Sequence, residues 1–146
     1  MTKSLLNKLL PQLQKLEKTK GITPKVRFYE GKQKVEMMYE EVLKEPSFRA
    51  FFHLQRVKKM MPEYFHKIPQ KLKENGGSAK ELLIRSIEAD EYINLYRSEH
   101  PQSKVLPPKI TFSSDTIITG QKIFLVGYSD KDIVGTEIWN EELAQT

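Results

Sequence analysis

The last third of this chain changes its hydrophobic period from that of helices to that of strands. Before this change, short segments of alternating apolar residues are separated by segments whose apolar residues recur every three or four positions, which predicts strand–helix pairs. After it, alternation continues from strand to strand, and Gly120-Gln121 is suited to a two-residue type II′ hairpin turn. Strand–helix alternation favours parallel strands and hairpins favour antiparallel ones. The pattern therefore predicts an α/β fold with one mixed sheet.

The predicted elements follow from these periods. Predicted strands cover residues 25–29, 48–54, 80–86, 109–112, 116–119, 122–128 and 133–139. Predicted helices cover residues 31–44, a bent segment over 57–72 that Pro62 and Pro69 divide, and residues 89–99. Phe51 and Phe52 are neighbours in a strand and face opposite ways, so we expect helices on both faces of the sheet. Asn140 caps a final helix that looks cut short, as in a piece of a longer protein.

A leucine-rich segment precedes this predicted domain. Four leucines stand at spacings of three, four and three, which is the seam of a coiled coil: Leu6, Leu9, Leu13 and Leu16. Two heptads are fewer than a coiled coil usually needs, so an amphipathic helix packed on its own domain is an equal alternative, and Pro11 would kink either helix. Gly21 and Pro24 indicate a linker. We therefore divide the chain into a dimerisation helix at 1–20 and an α/β domain at 25–146, and expect a homodimer.

The charge of the chain is concentrated at its beginning. The net charge is +5, and residues 1–25 carry six lysines against one glutamate. The remaining 121 residues carry 18 basic and 18 acidic side chains, so the α/β domain shows no basic excess for nucleic acid. Cysteine is absent, which excludes disulfides, thiol catalysis and cysteine-based zinc sites. No apolar run reaches membrane-span length and no signal peptide is evident, so we expect a cytoplasmic protein without a membrane partner.

The sequence lacks the motifs of the common catalytic sites. None of its three histidines begins an H-x-K-x4-D phosphodiesterase motif, and none forms an i, i+4 metal pair. A glycine-rich phosphate loop and a G-x-S-x-G elbow are also absent. The adjacent or near-adjacent carboxylates lie in polar segments, where solvated turns and helix faces explain them. We therefore expect no catalysis, no cofactor and no metal.

Three polar side chains follow predicted strands, where ligands bind in α/β sheets. His53 and Arg56 follow the second strand, and Arg85 ends the third. If these strands are neighbours, the three side chains could bind a small anionic or polyhydroxy ligand. The alternative is a structural role, with each arginine bonding a carbonyl or facing water.

Several segments resemble the TrmB-type transcriptional regulators. The most specific is Lys25-Val26-Arg27-Phe28-Tyr29-Glu30-Gly31, and residues 9–13, 39–43, 115–118, 122–126 and 134–138 are also similar. The resemblance implies a coiled-coil linker followed by a phospholipase D-like domain without catalysis. It also implies that DNA is bound through a helix-turn-helix, which this chain lacks before Leu5.

The resemblance suggests a function for the chain. We expect a non-catalytic effector domain of a transcriptional regulator, which senses a ligand and dimerises. The alternatives are a phospholipase D-like phosphodiesterase with a degenerate or rearranged site, and a stand-alone interaction module.

Overall fold

A computed structural model describes residues 9–11, 24–97 and 102–139 of the chain. Its seven strands form one mixed sheet and are β1 (Lys25–Glu30), β2 (Ser47–Phe52), β3 (Ser78–Leu83), β4 (Lys104–Val105), β5 (Ser114–Ile118), β6 (Lys122–Tyr128) and β7 (Ile133–Trp139). The helices between the first four strands are α1 (Lys32–Val42), α2 (Leu54–Met60), α3 (Pro62–Glu74) and α4 (Ile87–Tyr96). The α/β class and the mixed sheet that the sequence predicts are thus confirmed.

The strand order is β1-β7-β6-β5-β2-β3-β4. β2, β3 and β4 are parallel, because helices cross over between them and return the chain to the same end of the sheet. β5, β6 and β7 are antiparallel, as the short turns between them require. β1 does not join the parallel group: it lies at the far edge, antiparallel to β7. The first strand, β1, and the last strand, β7, therefore lie side by side at one edge of the sheet.

The four helices that lie between strands, α1 to α4, pack on one face of the sheet. α1 lies on β7, where a Cβ added to Gly135 would be 2.7 Å from the sulfur of Met38. α4 lies on β3, since the Tyr92 hydroxyl donates to buried Glu81, and Phe65 of α3 contacts Tyr92. The expectation of helices on both faces is therefore wrong for α1 to α4. Phe51 points away from the helices and is 39% exposed, whereas Phe52 is buried in the core.

Proline determines two further differences from the prediction. The segment predicted as one bent helix over 57–72 is two helices, because the chain turns at Met61 and Pro62 begins α3. Pro69 lies inside α3 without ending it. Residues 109–112 form a loop instead of a strand: Pro107 and Pro108 lack backbone donors, and the short β4 precedes them. In this loop, Phe112 packs against Phe51.

The hairpin between β5 and β6 has the predicted length but another turn type. Gly120 has no positive φ, which a type II′ turn requires, and Thr119 and Lys122 close the turn through backbone and side-chain hydrogen bonds. β6 and β7 have the bounds predicted for them.

Little of the leucine seam falls within the described residues. Residues 9–11 are helical, and Leu9 and Leu10 are about two-fifths exposed. Leu6, Leu13, Leu16 and the helix predicted after Asn140 lie outside the described residues. Within the described ranges, no helix combines the length and the apolar character needed to cross a membrane.

Candidate functional site

The carboxyl end of β2 leads directly into α2 through His53. The His53 amide donates to the carboxylate of Asp115 at 2.9 Å, and its carbonyl accepts from the amides of Arg56 and Val57. The Nδ1 atom of the ring is buried and has no hydrogen-bond partner among the described residues. His53 is therefore held by its backbone, while its ring nitrogen is enclosed beside a small cleft.

Asp115 is the buried centre of this region. It lies on the helix-facing side of β5, with no exposure to solvent. Besides the His53 amide, it accepts a hydrogen bond from the Tyr128 hydroxyl at 2.7 Å. The Tyr39 hydroxyl is buried in the same region and has no hydrogen bond of standard geometry within the described residues. Asp115 and Tyr128 are thus paired, and the Tyr39 hydroxyl interacts with that of Tyr128.

Arg56 joins this group from α2. Its Nη1 atom donates to the carbonyl of Ser113 at 3.0 Å, and its guanidinium lies 5.7 Å from the centre of the Tyr128 ring. His53, Arg56, Asp115 and Tyr128 therefore form one assembly, the strand-end cluster, which connects α2 to β5 and β6. An arginine has five donor hydrogens, so the bond to Ser113 leaves others for a ligand.

A small cleft adjoins the strand-end cluster. It has a volume of about 160 Å³ and lies between α2 and the β6–β7 turn. It is lined by Arg56, Lys59, Met60, Tyr128, Ser129 and Asp130. This volume suits a group of phosphate or carboxylate size better than a drug-sized molecule. Two cations against one carboxylate favour an anion.

The electrostatics of the strand-end cluster respond to pH near neutrality. Burial raises the pKa of Asp115 from 3.8 to about 7, although the hydrogen bonds from Tyr128 and His53 and the charge of Arg56 oppose the rise. Burial also lowers the pKa of His53, and the positive charge of Arg56 adds to this effect. Burial raises the pKa of Tyr128 well above its ordinary range. At neutral pH, Asp115 can therefore gain or lose a proton while His53 is neutral.

The third predicted ligand residue, Arg85, follows the strand next to β2. β2 and β3 are neighbours, as the prediction required, and Phe52 pairs with Leu83. Arg85 follows this end of β3 and is exposed. Within the described residues, no hydrogen bond or ion pair connects it to His53 or Arg56. The charge of Glu88, in the first turn of α4, acts on the His53 ring, and its buried Oε2 atom has no hydrogen-bond partner among the described residues.

Sequence reasoning did not identify Asp115, Tyr128 or Glu88 as site residues. Asp115 was placed before the predicted strand 116–119, although it shares the helix-facing side of β5 with Ile117. A charged residue at an apolar position of an alternating pattern is the signal that could have found it, because isolated buried charges are costly. Tyr128 follows Phe124 and Val126 on the same side of β6, which by itself indicates only core packing.

Two other buried carboxylates are bound to tyrosines elsewhere in the sheet. Glu81 accepts hydrogen bonds from Tyr92 and from Ser103, and Glu137 accepts one from Tyr29. These pairs connect sheet strands to their neighbours, which is a structural role. In the part of the chain that the structure describes, no three histidine or acidic side chains are grouped to hold a metal ion.

Comparison with known proteins supports the fold. No protein-family model matches the chain, and no curated protein is significantly similar to it in sequence. Among solved structures, the chain is similar to TrmBL2, an archaeal chromatin protein whose structure is described as showing a novel mode of DNA binding. The TM-score is 0.54 and the sequence identity 12%, over 98% of this chain and 56% of TrmBL2.

This likeness is one of fold. It supports the TrmB-like resemblance at that level, and the chain spans little more than half the length of TrmBL2.

Proposed function

We propose that this chain is a ligand-sensing and dimerising domain of a transcriptional regulator, and that it is not an enzyme. The observation that carries the proposal is the fold similarity to TrmBL2 over nearly the whole chain. The sequence resemblance to TrmB-type regulators supports the same function. In this proposal the domain contacts DNA through a helix-turn-helix that is not part of the described residues.

The ligand of this proposal is a small anion bound at the cleft beside the strand-end cluster. Arg56 and Lys59 supply positive charge and hydrogen-bond donors. Asp130 also lines the cleft, so a ligand that carries a hydroxyl donor as well as an anionic group fits best. Asp115 tunes the affinity, because its ionisation places a negative charge near Arg56. Anion binding should therefore be tighter at pH 6 than at pH 8.

Ligand binding can be communicated through α2. This helix begins at His53, whose amide is bonded to Asp115, and it carries Arg56 and Lys59 toward the cleft. An anion that draws the guanidinium of Arg56 away from the Ser113 carbonyl would change the contact between α2 and β5. In this proposal the contact has two arrangements, one with the bond between Arg56 and the Ser113 carbonyl and one without it. The ligand would favour the arrangement without the bond.

Dimerisation in this proposal uses the leucine seam of Leu6, Leu9, Leu13 and Leu16. Leu9 is 40% exposed, as a seam residue is in an isolated protomer. Apolar surface of this kind is stabilised by burial against a partner.

The ligand proposal is tested by calorimetric titration with inorganic sulfate, whose charge is the same at pH 6 and pH 8, and with glycerol 3-phosphate at pH 6. We expect saturable binding that weakens at pH 8, and a loss of at least tenfold in affinity for Arg56→Ala. The control is Arg49→Ala, because Arg49 is an exposed arginine on the opposite side of the sheet. Equal affinity of wild type and Arg56→Ala would contradict the assignment of the site, as would binding of neither probe below 10 mM.

A further inference from the structure

The face of the sheet opposite the helices is apolar across six strands. Side chains alternate along each strand, so every second residue of β1, β7, β6, β5, β2 and β3 lies on this open face. The open face carries nine apolar side chains: Val26, Phe28, Phe51, Leu82, Ile118, Ile123, Leu125, Val134 and Ile138. Phe28 is 51% exposed, and Val26 and Val134 are 42% exposed. Monomeric proteins rarely expose a continuous apolar patch of this kind.

The strand register arranges eight of these side chains in two continuous rows, and Val134 lies beside Glu30 in a shorter third row. The first row runs from Val26 through Ile138, Ile123 and Ile118 to Arg49 and Lys80. The second runs from Phe28 through Thr136, Leu125, Thr116 and Phe51 to Leu82 and Lys104. Each of the two continuous rows is thus apolar or neutral from β1 onward and ends in cations at the β3–β4 edge.

The two edges of the open face differ in charge and in shape. The β3–β4 edge has the cations Arg49, Lys80 and Lys104, which line a groove of about 570 Å³ whose apolar wall includes Phe51 and Leu82. The β1 edge has the protruding Phe28 ring and Glu30, which is the acidic side chain of the open face among the described strands. Each edge is therefore complementary to the other: a ring and a carboxylate on one, an apolar groove with cations on the other.

We propose that the open face binds the open face of a second copy of this chain. Self-complementary edges fit a two-fold interface, in which the same patch serves both partners. Strand spacings of about 4.8 Å and a rise of about 3.3 Å per residue give two rows on six strands and a third on four a footprint of about 500 Å². Two copies then bury at least about 1,000 Å², which reaches the range of specific interfaces.

The charges at the two edges of the open face determine the direction of the two-fold axis that relates the copies. A two-fold axis parallel to the strands, between β5 and β6, places the β1 edge of one copy over the β3–β4 edge of the other. Phe28 then enters the groove beside Phe51 and Leu82, because all three lie in the same row, and Glu30 lies near Lys104. An axis perpendicular to the strands would place the cations of one copy on those of the other, which like-charge repulsion opposes.

The absence of cysteine makes the interface accessible to site-specific cross-linking. All measurements use the chain with Leu9→Glu and Leu13→Glu, so that association through the leucine seam does not contribute. Thr116 lies beside the proposed axis, and Thr116→Cys should give a covalent dimer with a short bis-maleimide. The control is Met37→Cys, which is 63% exposed on the helical layer and should not cross-link.

Sedimentation equilibrium tests the edges of the interface in the same background. We expect a dimer whose dissociation constant rises at least tenfold in Phe28→Ala, while Ile87→Ala, at an exposed position of α4, leaves it unchanged. Glu30→Lys should weaken the dimer, and adding Lys104→Glu should restore it. Circular dichroism confirms that each variant is folded.

Two results would overturn the proposal. One is a folded monomer at 50 µM with no cross-link at Thr116→Cys, which would mean that a segment of the same chain or a different partner covers the open face. The other is a dimer that is insensitive to Phe28→Ala and to Glu30→Lys. Neither result bears on anion binding at the cleft, so the proposed ligand site stands or fails separately.

Discussion

The burial of Asp115 predicts an unusual dependence of stability on pH. The carboxyl group has no exposed surface, and burial raises its pKa from 3.8 to about 7 in the folded protein. Between these values the unfolded chain has lost the proton while the folded protein retains it. The stability that this group contributes is therefore fully present below pH 4 and is lost as the pH rises to about 7.

The size of the effect follows from the two pKa values. Each pH unit between them corresponds to about 1.4 kcal/mol, so the full loss is about 4 kcal/mol. Between pH 5 and pH 8 the loss is about 2–3 kcal/mol, since part of it has already occurred at pH 5. Asp115→Asn keeps the shape of the side chain and one carbonyl oxygen for the His53 amide, but it cannot ionise. The variant should therefore lack this dependence on pH.

Urea denaturation at pH 5, 6, 7 and 8 measures the effect. The free energy of unfolding of the wild type minus that of Asp115→Asn should fall by about 2–3 kcal/mol across this range. Taking this difference cancels the titration of all groups that the two proteins share. Asp130→Asn, in the exposed β6–β7 turn, serves as the control and should follow the wild type. A wild-type curve parallel to that of Asp115→Asn would refute the account of a carboxyl group that burial keeps protonated.

Three further predictions concern other parts of the chain. Gly77→Ala should destabilise the protein by about 2 kcal/mol or more in thermal unfolding, because its new Cβ would collide with the carbonyl oxygen of Pro46. The control is Gly120→Ala, which should change stability by less than about 0.5 kcal/mol because the added Cβ meets open space. Sedimentation velocity should show that Leu9→Glu with Leu13→Glu lowers the oligomeric state of the wild-type chain, and an unchanged state would exclude the leucine seam. In fluorescence anisotropy, duplex DNA should bind weakly and lose affinity steeply with salt, since the positive excess lies in residues 1–25; nanomolar, sequence-selective binding at physiological salt would contradict this.

Local sequence patterns predicted the elements better than their places in the sheet. β6 and β7 have the predicted bounds because alternation and short turns are both local signals. The position of β1 depends on its pairing with β7, more than one hundred residues later, and its own sequence carries no signal of that partner. The adjacent Phe51 and Phe52 correctly indicated side chains on both faces. They could not show that α1 to α4 all pack on the same face.

The candidate site shows the same division between local and distant information. His53 and Arg56 were found because they follow a strand, and this position is readable from the sequence. Asp115 enters the strand-end cluster through a hydrogen bond from His53, a residue 62 positions earlier in the chain. The same strand-end rule includes Arg85, which is exposed just before the first turn of α4, and its place in the ligand site stays a prediction.

The most direct test of the account is an NMR titration of the uniformly ¹⁵N-labelled chain with inorganic phosphate at pH 6. The account predicts saturable shifts of amide signals in residues 53–60 and 128–130, around the cleft that Arg56 and Lys59 line. It also predicts that Arg56→Ala removes them while the rest of the spectrum is retained. Shifts that do not saturate, or that survive in Arg56→Ala, would contradict the assignment of this cleft as the ligand site.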